Sequence, residues 1–133
     1  RPETGQAFKL VTFVPREYRE TLLQALFRAG GGRIGAYEGC SFASPGTGTF
    51  FPGKAASPVV GEKGKLNEVT EDRIEVLFPP EALMAGIAAL RAAHPYEEPA
   101  FDLYPLVSPQ RVSGYVRAGR LRPPLPWEAF LGR

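Results

Sequence analysis

Ala93-His94-Pro95-Tyr96-Glu97-Glu98-Pro99-Ala100-Phe101-Asp102-Leu103-Tyr104-Pro105-Leu106 decides how the rest of the chain is read, because its backbone must leave a helix and run extended. Pro95 and Pro99 disfavour helical geometry at His94 and Glu98, so an incoming helix stops at His94 and a strand begins at Ala100. The same stretch holds the only histidine of the chain, two adjacent carboxylates and two phenols. Topology and candidate chemistry therefore meet at one helix-to-strand junction.

Upstream of it, Glu81 to Ala93 reads as a helix whose core face is Leu83, Ile87 and Leu90, assisted by Met84 and Ala88, with Glu81 favourable in the first turn. Pro79-Pro80 separates that helix from Glu68 to Phe78, where Ile74, Val76 and Phe78 alternate with Arg73, Glu75 and Leu77 as in a strand. Near the N-terminus, Phe8 to Val14 is apolar at almost every position and reads as a strand covered on both faces. Pro15 then suits the first turn of a helix from Arg16 to Ala29, striped by Tyr18, Leu22, Ala25, Leu26 and Ala29 and widened by Leu23 and Phe27. Gly30-Gly31-Gly32 ends it, glycine tolerating the left-handed cap.

The middle of the chain predicts two short strands, Arg33 to Ser44 and Pro45 to Pro52, joined by a Pro-Gly turn, with Gly53 to Gly64 an exposed loop. In order the elements are β-α-β-β-β-α-β. That order predicts an α+β, ferredoxin-like fold: an antiparallel sheet with two helices on one face and an extended hairpin. Residues 1–107 form this domain, and 108–133, rich in proline and arginine with a short helical signature at Pro126 to Leu131, form an appendage.

Composition narrows the function classes. A chain of 133 residues suits one packed domain, and 44% apolar with 23% charged residues fits a soluble globular protein. A net charge of +2 with scattered arginines argues against nucleic acid as a partner. No apolar run approaches the roughly 20 residues that span a bilayer, so no membrane partner is expected. A single cysteine and the lack of a charged segment leading into an apolar run point to a reducing cytoplasm. The chain opens on Arg1 rather than methionine, which fits a processed chain or a piece of a longer one.

His94, Glu97 and Glu98 are the candidate metal ligands, because a borderline divalent ion such as zinc accepts imidazole and carboxylate together and a turn brings close neighbours to one ion. Ligands from one segment leave that shell incomplete, so a second segment or another subunit must contribute. The structural alternative is a histidine stabilised by the helix C-terminus and a pair of solvated glutamates. Tyr37, Cys40 and Tyr96 are candidate neighbours of a bound small molecule. A lone cysteine is otherwise a small buried hydrophobe, and Tyr96 with Phe101 and Tyr104 also suits core or subunit contact. Gly30-Gly31-Gly32-Arg33-Ile34-Gly35 follows a helix instead of leading into one, which excludes a Walker or Rossmann phosphate loop. Tyr37, Phe42, Phe50 and Phe51 make the middle hairpin unusually apolar for an exposed edge, which invites pairing with another subunit.

Gly35-Ala36-Tyr37-Glu38-Gly39-Cys40-Ser41-Phe42, Gly46-Thr47-Gly48-Thr49-Phe50-Phe51-Pro52, Gly61-Glu62-Lys63-Gly64-Lys65-Leu66 and His94-Pro95-Tyr96-Glu97-Glu98-Pro99-Ala100-Phe101-Asp102 together resemble the YqfO-type domain. That domain is inserted in many bacterial members of the NGG-interacting-factor-three-like (NIF3-like) dinuclear-metal family and is similar in fold to PII signalling proteins and CutA. The tail, Gly114 to Leu121 with Pro124 and Glu128-Ala129-Phe130-Leu131, is similar to the segment that returns to the metal-binding half, although Val116 stands where the family usually has glycine. The resemblance implies a PII-like homotrimer that binds a small ligand or a divalent metal and is not itself an enzyme. Its alternative implication is a lid or assembly fragment of a larger dinuclear-metal hydrolase-like protein. The metal-binding halves of such parents lie outside this sequence, so their activity does not transfer to it.

Overall fold

A computed structural model describes residues 6–107. The strands are β1 (Phe8–Val14), β2 (Phe42–Phe50), β3 (Asn67–Phe78) and β4 (Phe101–Pro105), and the helices are α1 (Arg19–Arg28) and α2 (Leu83–Ala93). Each helix is entered through one 3-10 turn, Arg16–Tyr18 behind Pro15 and Pro80–Ala82 behind Pro79. The sheet order is β2-β3-β1-β4, and every neighbouring pair is antiparallel. This is the expected α+β, ferredoxin-like arrangement.

β1 lies inside the sheet because its continuous apolar run can be covered on both faces: Leu10, Val11 and Val14 are all buried. Leu10 and Val14 join Ile74, Val76 and Phe78 of β3 under Leu22 and Leu26 of α1 and Leu90 of α2, so both helices cover one face. Each such side chain contributes roughly 1.5–3 kcal/mol of burial. α1 stops in a Schellman motif, with Gly31 N–H donating to Leu26 O (3.1 Å), Gly30 N–H to Phe27 O (3.0 Å) and Gly30 at φ 104°. Three helix positions turn out differently from their periodicity: Met84 is 73% exposed, Tyr18 37% exposed, and Ala88 is exposed as well. Gly86 occupies the middle of the buried stripe of α2, where a Cβ would run into the Phe78 ring.

The middle of the chain corrects the expected pair of short strands. Arg33 to Ser41 contributes only a bridge between Ile34 and Tyr37. Pro45-Gly46 is no turn: β2 runs straight through it, pairing Phe42 with Glu75 and Phe50 with Asn67. β2 is an edge strand, where proline is tolerated because alternate N–H groups point away from the ladder. The hairpin is therefore β2–β3, closed by residues 51–66. Asn67 holds the end of that connection, accepting from Glu62 N–H (2.9 Å) and donating to Glu62 O (2.8 Å) and Lys65 O (2.9 Å). The expected appendage at 108–133, with its helical signature, lies outside the described residues.

On the helix side, Asp72 is 1% exposed and clamped by two arginines. Arg16 donates through Nε (3.3 Å) and Nη2 (3.2 Å), and Arg19 through Nη1 (2.8 Å). The hydrogen bonds from Arg16 hold the carboxyl below the usual carboxylate range, and the charges of both arginines add to that.

Candidate functional site

The junction that decided the topology is held by three long-range or turn-closing hydrogen bonds. Pro95 puts His94 in extended geometry (φ −71°, ψ 135°), which aims the imidazole back at the sheet. Nε2–H of His94 donates to Phe13 O at 2.7 Å, and Nδ1 accepts from Tyr96 N–H at 3.1 Å. Thr12 Oγ1 donates to Ala100 O at 2.8 Å where the chain enters β4. Burial pushes the His94 pKa below its ordinary value, against the opposing effects of the Phe13 carbonyl and the Glu71 charge. Protonation of Nδ1 would also set a second N–H against that of Tyr96. His94 is therefore a neutral anchor for the turn, 5% exposed, with both nitrogens engaged.

Beside the anchored turn is a cleft of about 570 Å³. Phe13, Glu71 and Arg73 contribute to it from the parity opposite to Val14, Ile74 and Val76, that is, from the sheet face turned away from the helices. β2, the Pro52–Val60 part of the connection and the Tyr96–Glu98 turn complete its lining. Glu97 ties two of these parts together, its Oε1 accepting from Ser57 N–H at 2.9 Å. Most of the lining is apolar, with a few convergent polar groups, the usual character of a small-molecule site.

Two of those polar groups lack partners. Glu71 is 9% exposed and makes no hydrogen bond or ion pair among the described residues. Its Oε1 lies over Gly48, in the position a Cβ there would take, so glycine at 48 is what lets the carboxylate lie against β2. The Tyr96 hydroxyl is buried without a hydrogen bond of full geometry among the described residues, and the Glu71 carboxylate is the acceptor within its reach. Burial pushes the Tyr96 phenol up, and the neighbouring Glu71 charge adds to the shift, so the phenol keeps its proton. Arg73 is already engaged, with its guanidinium 5.7 Å over the Phe13 ring and Nε 3.8 Å from Glu75 Oε2.

The expected site residues divide. Tyr96, Glu97 and Glu98 line the cleft together, while His94 sits behind it as the anchor. Tyr37, 76% exposed, and Cys40, whose Sγ is 3.9 Å from Glu38 O, are not among the cleft residues. As a metal set, His94, Glu97 and Glu98 do not fit within one chain, because the imidazole has no free nitrogen. Among the described residues no three or more His, Cys, Asp or Glu side chains are grouped to hold an ion. Glu71, Arg73, Phe13 and Gly48 were not anticipated. The signal for them is strand parity: Glu71 continues the Arg73, Glu75, Leu77 row away from the helices, opposite Gly46.

No family model matches the chain. A Mycobacterium tuberculosis protein named GTP cyclohydrolase 1 type 2 homolog is 47% identical over 132 residues, 99% of this chain and 35% of the relative. A Bacillus cereus protein described as related to NIF3 superposes with a TM-score of 0.67 at 44% identity, over 77% of this chain and 26% of that one. The chain is a YqfO-type domain of the NIF3-like family. It spans about a third of the length of its NIF3-like curated relatives; a Bacillus subtilis homologue, 44% identical, is covered over 31% of its length. CutA from Synechococcus elongatus shares the fold, with a TM-score of 0.58 at 21% identity over 86% of this chain and 89% of CutA. No helix among the described residues is long and apolar enough to cross a membrane.

Proposed function

We propose that this domain is a self-associating, PII-like module that binds a small ligand and does no chemistry of its own. The observation that carries the reading is the cleft between β2, β3 and the Tyr96–Glu98 turn, lined mostly by apolar groups and containing two polar groups without partners. Among the described residues no serine or threonine hydroxyl of the cleft is hydrogen-bonded to a base, and His94, the natural proton carrier, is spent on Phe13 and Tyr96. Self-association as a trimer is supported by the exposed edge strand β2, with Phe42 at 62% and the nearby Phe51 at 61% exposure, and by the CutA-like fold, for which the resemblance implies a PII-like homotrimer. A reducing cytoplasm remains the proposed setting.

A second reading has its own observation. The chain matches about a third of each relative, which supports a lid or assembly role within a larger NIF3-like protein. In either setting a divalent ion would need donors from outside the turn in addition to Glu97 and Glu98. Sedimentation tests the module directly. A trimer at micromolar concentration, reduced to smaller species by Phe42→Glu, is the expected result; a wild-type monomer at that concentration refutes self-association.

A further inference from the structure

Three carboxylates, Glu71, Glu97 and Glu98, face one guanidinium, Arg73, around the cleft. Arg73 is occupied by Phe13 and Glu75 and forms no ion pair with Glu71, while Glu97 and Glu98 add negative charge to the same cleft. Glu71, 9% exposed as a residue and without an ion pair among the described residues, sets a weakly hydrated carboxylate in a mostly apolar wall, and a cation that brings N–H donors to both oxygens would be favoured there. A carboxylate is planar and accepts two parallel N–H bonds, so the best partner is a planar amidine- or guanidine-type head. Phe13, Phe50, Pro52 and Val59 offer the apolar surface for the body that carries such a head. The volume, about 570 Å³, suits a ligand of one to three rings.

We propose that the cleft binds a small organic cation, its planar N–H edge paired with the Glu71 carboxylate, its apolar body against Phe13 and Phe50, and the Tyr96 hydroxyl supplying a further hydrogen bond. The inference rests on the ligand-binding reading above and adds the chemical class of the ligand. Gly48 belongs to the device, since any side chain there would push the Glu71 carboxylate from its place.

Benzamidine, benzamide and benzoate, alike in shape and different in charge, are the probes. Each is titrated into the 133-residue chain while the backbone amide signals of Phe13, Gly48 and Tyr96 are followed by NMR. Benzamidine is expected to shift these signals saturably and to bind about tenfold or more tighter than either analogue. Glu71→Gln, with an otherwise native spectrum, is expected to lose about tenfold or more in benzamidine affinity, and Tyr96→Phe a smaller factor. Should Glu71→Gln fail to fold, Tyr96→Phe and the benzamidine-to-benzoate ratio in the wild type decide.

Equal binding of benzamidine and benzoate, or undiminished benzamidine binding in Glu71→Gln, overturns the assignment. If benzamide or benzoate occupies the cleft and benzamidine does not, the cation is wrong while the ligand-binding reading survives. If none of the three shifts the cleft signals, both fall. In that event, weaker self-association of Glu71→Gln would show that a basic side chain of a second copy fills the cleft.

Discussion

Asp72 and Glu71 are neighbours on β3, both shielded from water at 1% and 9% exposure, and they meet opposite surroundings. The alternation of the strand sends Asp72 under the helices, where Arg16 and Arg19 satisfy it, and sends Glu71 into the cleft, where no cationic side chain among the described residues pairs with it. A buried charge with its partners in place belongs to the fold. A buried charge without them marks a place where binding energy is available to something else.

Removing the satisfied side of this pair should do the most damage. Asp72→Ala strands two arginines near the helix entry, and thermal unfolding should show a drop of several degrees in midpoint, the largest of the set. Because the pKa of Asp72 is lowered in the fold, its stabilisation is present above the unfolded carboxylate range and is lost as pH falls through the lower folded value. Asp72→Asn should therefore flatten the acid limb of a stability-versus-pH curve.

His94→Ala comes next, at about 2–3 kcal/mol in urea unfolding, because Phe13 O and Tyr96 N–H both lose a buried partner. The pKa of His94 is also lowered, so its contribution is full above the ordinary value of 6.5 and declines as pH falls through the folded value. The variant should lose that slope. Zinc titration calorimetry should give the same heats for His94→Ala and wild type; smaller heats in the variant would restore the imidazole as a ligand.

Gly48→Ala sharpens the other side. A methyl group there collides with the movable end of Glu71, so a stability change of about 1 kcal/mol or less should accompany a clear loss of benzamidine binding. A fall of several kcal/mol would mean that the close approach of β2 to Glu71 is structural.

What the chain announces in advance follows the range of each signal. β1, α1, β3, α2 and β4 are legible because their periodicity is local and their ends carry proline or glycine. β2 is not, since Pro45-Gly46 looks like a turn until β3 is known to pair on one side only, leaving β2 at the edge. That Tyr96, Glu97 and Glu98 share one turn is legible because Pro95 and Pro99 disfavour helix on either side of them, and the structure places that turn along the cleft. The role of His94 is hidden, because its key acceptor, Phe13 O, is 81 residues away in sequence. Glu71 shows only as one acidic residue in a strand; its lack of a partner is a three-dimensional fact.

The direct test of the contrast is urea unfolding of wild type, Asp72→Asn and Glu71→Gln at pH 7, read as midpoints at constant m-value. Asp72→Asn should unfold at clearly lower urea, while Glu71→Gln should stay within about 0.5 kcal/mol of wild type or exceed it. A Glu71→Gln midpoint as low as that of Asp72→Asn would make Glu71 a structural charge and contradict the assignment of the cleft as a binding site.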